Sequence, residues 1–164
     1  MPRFDPEAIL RTLIGQDVEF VLIGGVAATL HGSNLRTGDV DVCPRMEEKN
    51  LARLAKALVE LEARVRTAGV PDGLRFTADA AFLARVEMLN LTTRYGDFDL
   101  TFRPSGTAGF EDLQANQVIF DLDGIHVPTT SLADLIRSKE AAGRRKDHEV
   151  LPTLRALLGE VAGR

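Results

Sequence analysis

The sequence predicts a single α/β domain of the α+β kind, a short, mixed, largely antiparallel sheet flanked by helices, with a C-terminal helical segment at about 131–160. Three observations predict it. Apolar residues recur at helical spacing near both ends of the chain, strict polar–apolar alternation marks strands in the middle, and turn dipeptides separate the two patterns. With 164 residues, 45% hydrophobic and 27% charged, the chain is sized for one core, so residues 1–164 are read as one domain.

Taken in order, Asp5-Pro6 reads as an N-cap followed by proline at the first helical position, and Ile9, Leu10, Leu13 and Ile14 supply the inward stripe of a helix ending near Gly15. Glu19 to Ile23 is a short strand, Gly24-Gly25 a tight turn, and a helix resumes from about Val26 to Leu30. Asp39-Val40-Asp41-Val42 alternates with period two, which sends Val40 and Val42 to the core. Leu51, Leu54, Leu58 and Leu61 line one face of a longer helix, and Ala63 to Phe76 reads as strand material turning at Pro71-Asp72-Gly73. A hairpin is expected from Glu87–Thr93 and Asp97–Phe102 about Tyr95-Gly96, with Phe98, Leu100 and Phe102 on one face and Asp97, Asp99 and Thr101 on the other. Gly109–Ala115 is read as a short helix and Val118–Val127 as a second hairpin turning at Asp123-Gly124. Ser131, with Asp134 three residues on, resembles a capping box that starts a helix, and Pro152 is expected to break or restart the next.

Composition narrows the chemistry. Lys and Arg total 20 against 24 Asp and Glu, a formal charge of -4, so the surface offers no general attraction to nucleic acid or an anionic membrane. The one cysteine, Cys43, has no internal disulfide partner. Met1-Pro2-Arg3-Phe4-Asp5 lacks an apolar signal stretch, and no apolar run approaches the roughly 20 residues that span a bilayer. The expectation is a cytoplasmic protein. His31, His126, His148 and Cys43 show no zinc-ligand spacing, and no Gly-x-x-x-x-Gly-Lys appears, which argues against a P-loop.

The pattern that carries chemistry is Gly24-Gly25, thirteen residues, Asp39-Val40-Asp41, and then Asp99 on a later strand. Glycines let a backbone approach a triphosphate, and the N-H groups of the next helix favour phosphate oxygens. Carboxylates two apart on a strand project from one face, where they repel unless they share hard divalent cations. Asp99, on the polar face of the hairpin, completes such a set, and Asp97 is its rival. Two cations held there suit displacement at phosphorus, with a third carboxylate drawing the proton from an acceptor hydroxyl. Arg36 and Thr37, in the loop before the aspartates, either touch phosphate or are simply solvated. Lys139 continues the inward stripe of Leu132, Leu135 and Ile136, where a charge needs a partner. Arg144, Lys146 and His148 extend the positive cluster, and Asp147 orients Lys139 or Arg144 if its helix tolerates Pro152. A buried structural ion-pair network is the rival reading for Lys139, Arg144 and Asp147.

The segments FVLIGGVAATLHGSNLRTGDVDV and YGDFDLTF resemble the polymerase-β-like nucleotidyltransferase superfamily, whose signature is a glycine pair or Gly-Ser, a gap, Asp-x-Asp, and a third acidic residue on a neighbouring strand. Within it, SLADLIRSKEAAGRRKDHEVLPTL looks like the small bacterial nucleotidyltransferases related to type IV abortive-infection toxins. The resemblance implies a nucleotidyltransferase fold and transfer from ATP or another NTP with Mg²⁺, or Mn²⁺. In it Asp39, Asp41 and Asp99 act as metal ligands and catalytic residues, and Lys139 as a catalytic cation. Gly24, Gly25, Arg36, Thr37, Arg144 and Asp147 fall on the substrate side. It also implies an acceptor such as an RNA end, tRNA included, or a protein, in a toxin–antitoxin or phage-defence setting with an antitoxin partner. The chain is shorter than the larger abortive-infection toxins. A rival class keeps the same fold as a nucleotide-binding or antitoxin-like module with little turnover, and a structural interaction domain is a third.

Overall fold

The computed structural model describes residues 3–163; Met1, Pro2 and Arg164 lie outside the described residues, and with Met1 and Pro2 the start of the segment read above for a signal. The elements run α1 (Pro6–Gly15), β1 (Phe20–Ile23), α2 (Gly24–Leu30), β2 (Asp39–Pro44), α3 (Glu48–Glu60), β3 (Arg64–Thr67), β4 (Val70–Leu74), α4 (Ala80–Leu83), β5 (Met88–Thr93), β6 (Gly96–Thr101), α5 (Phe110–Ala115), β7 (Val118–Leu122), β8 (Ile125–Thr129), α6 (Leu132–Ala142) and α7 (Arg145–Ala162). The strands form one eight-stranded sheet in the order β4-β3-β5-β6-β2-β1-β8-β7. It is mixed and largely antiparallel: only β2 with β6 and β1 with β8 run parallel. Among the described residues no helix is long and apolar enough to cross a membrane.

Alternation decides which face each side chain takes. Val40 and Val42 of β2 and Phe98 and Leu100 of β6 join the main core, with Leu10 and Leu13 of α1 and Leu51, Leu54 and Leu58 of α3. The other face carries a smaller cluster of Val21, Ile23, Cys43, Phe110 and Leu113, the last two supplied by α5. Asp39 and Asp41 share the Cys43 face by the same period of two. That second face is only partly roofed, and the roof's gap is where the polar groups collect.

Local sequence explains the helix ends. Asp5 caps α1 by accepting from Ala8 N at 3.1 Å, and Ser131 caps α6 by accepting from Asp134 N at 3.1 Å. Gly143, at φ 62°, closes α6 in the left-handed conformation. The hairpin of β7 and β8 turns at Asp123 (φ 49°) and Gly124 (φ 90°), as its Asp-Gly pair requires.

Four expectations need correction. The Pro71-Asp72-Gly73 segment is not a turn but lies inside β4, and the chain reverses between Thr67 and Val70. β4 is an edge strand, where proline is tolerated, and Gly73 at φ +75° fits because a methyl there would lie 2.9 Å from Val65 O, Arg64 Cβ and Thr92 Cγ2. α2 begins at Gly24 rather than near Val26. Pro152 neither breaks nor restarts a helix, since α7 continues through it. Pro152 itself is exposed while Asp147, Leu151 and Leu154 bury one stripe of α7, so burial outweighs the lost hydrogen bond. The one-turn α4, capped by Asp79 through Phe82 N at 2.7 Å, falls where the sequence marked no element.

Asn50, fully buried in the first turn of α3, ties the entrance of β1 to the exit of β2. Its Oδ1 accepts from Glu19 N at 2.7 Å, and its Nδ2 donates to Glu19 O and Arg45 O at 2.9 Å each. Asn50→Ala leaves Glu19 N without its acceptor, while Glu19 O keeps Arg45 N and Arg45 O keeps Glu47 N; the expected loss is about 1–3 kcal/mol in urea denaturation, with the far-ultraviolet spectrum of the folded state unchanged. A loss below about 0.5 kcal/mol would show that water replaces the amide there.

Candidate active site

β2 lies between β1 and β6, and its pairing with β6 sets three carboxylates side by side near the C-terminal end of β1. Antiparallel pairing sets Ile23 opposite Asp41, and parallel pairing sets Asp41 opposite Asp99 and Asp39 opposite Asp97. Asp39, Asp41 and Asp99 all line one cleft of about 510 Å³, together with Gly24, Gly25, Lys139 and Arg144. Residues separated by up to 120 positions in the sequence converge there.

The carboxylates crowd one another in a place that water reaches poorly. Burial pushes the Asp41 carboxyl up to about 7, the Asp99 charge adding to it and the Thr101 hydroxyl, which donates to Asp41 Oδ1 at 3.1 Å, opposing it. Asp99 is raised to about 6 by burial and by a hydrogen bond to the Asp39 carboxyl, against the Arg66 guanidinium. A set of hard oxygen donors at adjacent strand positions, costly to ionise together, fits a divalent cation, which would relieve the repulsion. As they stand, among the described residues, no three His, Cys, Asp or Glu side chains are gathered into a ready metal site. Asp99 Oδ1 is instead engaged by Arg66 Nη2 at 2.8 Å.

The glycine pair is shaped by close approach. Gly24 takes φ +72°, and a methyl on it would come within 3.1 Å of Asp41 Cβ; one on Gly25 would lie 2.5 Å from Thr37 Oγ1. Both glycines therefore let the β1–α2 turn sit against the aspartate strand and its preceding loop. Thr37 spends its hydroxyl on Asp39 O at 3.2 Å, which steadies the entry to β2. Arg36 is exposed, and neither Arg36 nor Thr37 lines the cleft.

On the opposite wall, Asp147 is fully buried and holds two cations: Lys139 Nζ at 3.3 Å and Arg144 Nε at 2.7 Å. Burial raises its carboxyl, but the hydrogen bonds from Arg144 and the Lys139 charge more than offset that and hold it at about 2. The trio forms the ion-pair network of the rival reading, and Lys139 and Arg144 also line the cleft. Asp97 lies on the rim, with its Oδ2 3.5 Å from Arg66 Nη1. Cys43 is buried behind Asp41, and burial with that charge and Glu111 pushes its thiol up to about 12, so it is inert as a nucleophile.

Further cleft groups escaped the sequence reading, among them Arg66, Asn90, Thr101 and Thr130. Thr101 carried a signal, standing two residues beyond Asp99 on its polar face. Arg66 carried none, because it arrives from β3, whose strand pairing was not legible. The Thr130 hydroxyl is buried and finds no hydrogen-bond partner among the described residues.

No family model matches the chain, and no curated protein matches it. Solved structures do. Lincosamide antibiotic adenylyltransferase LnuA, bound to lincomycin, is 14% identical with a TM-score of 0.60, covering 92% of this chain and 94% of its own. A candidate nucleotidyltransferase from Thermotoga maritima is 17% identical with a TM-score of 0.57, covering 97% of each chain. Antibiotic-resistance factor ANT(2'')-Ia is 15% identical with a TM-score of 0.54, over 93% of this chain and 80% of its own.

The pH dependence of the metal-free protein follows from the two shifted carboxyls. Unfolded Asp titrates near about 3.9, so between about pH 4 and 7 the folded state holds protons on Asp41 and Asp99 that the unfolded chain has released, and stability falls as pH rises. Asp147 works the other way, its stabilisation being lost as pH falls from about 4 toward 2. Urea denaturation in a chelator is expected to show lower stability at pH 8 than at pH 5, with Asp41→Asn flattening that decline. An equal decline in the variant would remove Asp41 as its source. By strand topology and neighbours of this size, the chain has the nucleotidyltransferase fold.

Proposed function

We propose that the protein transfers a nucleotide from an NTP to a hydroxyl of a small acceptor, in a Mg²⁺-dependent reaction for which Mn²⁺ substitutes. The observation that carries the reading is the convergence of Asp39, Asp41 and Asp99 in a cleft whose other wall presents Lys139 and Arg144. Asp39 and Asp41, with Asp99, are the residues that would hold the cation, which when bound neutralises the triphosphate and the leaving pyrophosphate.

The chain's own groups supply the rest. Gly24 and Gly25 line the cleft, and the close packing of Asp41 and Thr37 against their bare Cα atoms holds the β1–α2 backbone there for phosphate oxygens to approach. Lys139 and Arg144 face the triphosphate from α6 and the start of α7, kept in place by Asp147, which leaves their remaining donors for phosphate. Asp99 serves either as the metal cation's third ligand or as the base that takes the proton from the acceptor hydroxyl's oxygen. That oxygen then bonds to the α-phosphorus as the bond to the β-phosphate oxygen breaks, and pyrophosphate leaves.

Two arguments favour a small acceptor over an RNA end. The net charge of -4 offers no general attraction to RNA. Two proteins of the same fold, a lincosamide adenylyltransferase and an antibiotic-resistance factor, match over most of their own length. The toxin–antitoxin setting, a protein acceptor and an antitoxin partner rest on the tail's resemblance alone. A nucleotide-binding module with little turnover is the second reading, favoured by Arg66 standing on Asp99 at 2.8 Å.

The test is incubation with each labelled NTP and Mg²⁺ or Mn²⁺, alongside separate pools of hydroxylated small molecules and total RNA. Pyrophosphate release dependent on the small-molecule pool is expected; release dependent on RNA reverses the acceptor assignment, and NTP binding without release favours the module. Asp41→Asn is expected to lower metal-dependent transfer by about 10³-fold or more while the metal-free protein keeps its fold. Transfer within about tenfold of the parent protein would sink the assignment.

A further inference from the structure

Arg66 stands in an unusual place. It belongs to β3, and β5 separates β3 from β6, so its side chain crosses one strand to reach Asp99. Asn90 of β5 lies opposite Asp99 and is exposed, which leaves that crossing open. The guanidinium is fixed at two points, Nη1 donating to Leu91 O at 2.8 Å and Nη2 to Asp99 Oδ1 at 2.8 Å. Asp97 Oδ2 is 3.5 Å from Nη1, and its side chain is 42% exposed against 14% for Asp99. The backbone anchor and the Asp97 carboxylate together offer the guanidinium a second seat when it leaves Asp99.

We propose that Arg66 is a resident counter-ion of the carboxylate cluster that competes with a divalent cation for Asp99, and so lowers the cluster's affinity for metal. The inference rests on reading Asp39, Asp41 and Asp99 as the cation's ligands. The physical argument is one of exclusion. A guanidinium hydrogen-bonded to Asp99 Oδ1 occupies a lone pair that a metal would use, and a dication placed beside it meets like charge at short range where water screens poorly. Binding of the cation therefore moves Arg66 toward Asp97, retaining its bond to Leu91 O. Asp97, which the sequence left as a rival third ligand, becomes the residue that receives the displaced arginine.

The opposite role is equally concrete. If Arg66 instead holds Asp99 in the orientation a cation needs, removing it weakens metal binding. Mn²⁺ affinity separates the two, measured by calorimetry and by the electron paramagnetic resonance of free Mn²⁺ on chelator-stripped protein without nucleotide. Arg66→Met is expected to bind Mn²⁺ about tenfold more tightly than the parent protein and to melt at lower temperature when metal-free. Lys139→Met, which removes another cleft cation that does not touch Asp99, measures the general effect of charge and is expected to change affinity much less. Arg66→Gln, which keeps a donor for Leu91 O but no charge, carries the same expectation as Arg66→Met should that variant fold poorly.

Equal or weaker Mn²⁺ binding in the Arg66 variants, or a gain no larger than that of Lys139→Met, overturns competition while leaving the cation reading intact. Absence of Mn²⁺ binding in every one of these proteins overturns the cation reading and this inference with it.

Discussion

Parallel pairing of β2 with β6 is the constraint on which the cleft depends. The ladder sets Asp41 level with Asp99 and sends Val40, Val42, Phe98 and Leu100 together into the main core. β6 cannot slip by one residue against β2 without burying its carboxylates in that core and exposing Phe98 and Leu100. Hydrophobic burial on one face thus enforces electrostatic repulsion on the other. The energy of the core holds the charges together, and the price appears as the raised proton affinities of Asp41 and Asp99.

Nature has two ways to settle such a repulsion, a proton or a cation, and this cleft shows both. The raised proton affinities of Asp41 and Asp99 express the first and Arg66 on Asp99 the second, with the Thr101 hydroxyl donating to Asp41. Across the cleft the opposite bargain is struck: Asp147, fully buried, holds Lys139 and Arg144 and stays ionised. The two walls therefore carry complementary unfinished charge. One is short of cations and the other has donors to spare, an arrangement that suits a polyanion bridged by metal.

The legible part of this architecture was the part encoded locally. Alternation in Asp39–Val42 and Asp97–Phe102 places the aspartates on one face without knowledge of any partner strand, because side-chain direction in a strand depends only on parity. The helical spacing of Lys139 beyond Ile136 likewise demands an anion, and Asp147 is that anion. Arg66 was illegible for a corresponding reason. Its importance is set by which strand lies next to which, and β3 reaches β6 only through β5, in a stretch where a bulge between Val65 and Thr67 and the positive φ of Gly73 disrupt the pattern. Proline misled twice, inside β4 and inside α7, because its cost depends on whether the missing N-H faces a neighbour or solvent, and sequence does not report that. Thr37 shows the limit from another side: its position before the aspartates suggested phosphate, yet its hydroxyl is committed to Asp39 O and its side chain packs against Gly25.

Thr130 shows how the remaining polarity of the cleft is distributed. It follows β8, whose parallel pairing with β1 aligns Leu22 with Thr129, and its amide donates to Leu22 O at 2.9 Å. Its carbonyl meets His31 Nε2 at 2.8 Å, so both backbone groups are spent within the protein, while the buried hydroxyl is left unmatched among the described residues. An unpaired hydroxyl in a buried wall costs about 1–3 kcal/mol unless something in the cleft completes it. Gly24 therefore lies between two unmet demands, the Asp41 carboxyl, which forms no ion pair among the described residues, on its β2 side and a hydroxyl that lacks a partner on its β8 side. The turn that carries no side chain is the point from which a bound molecule could answer both.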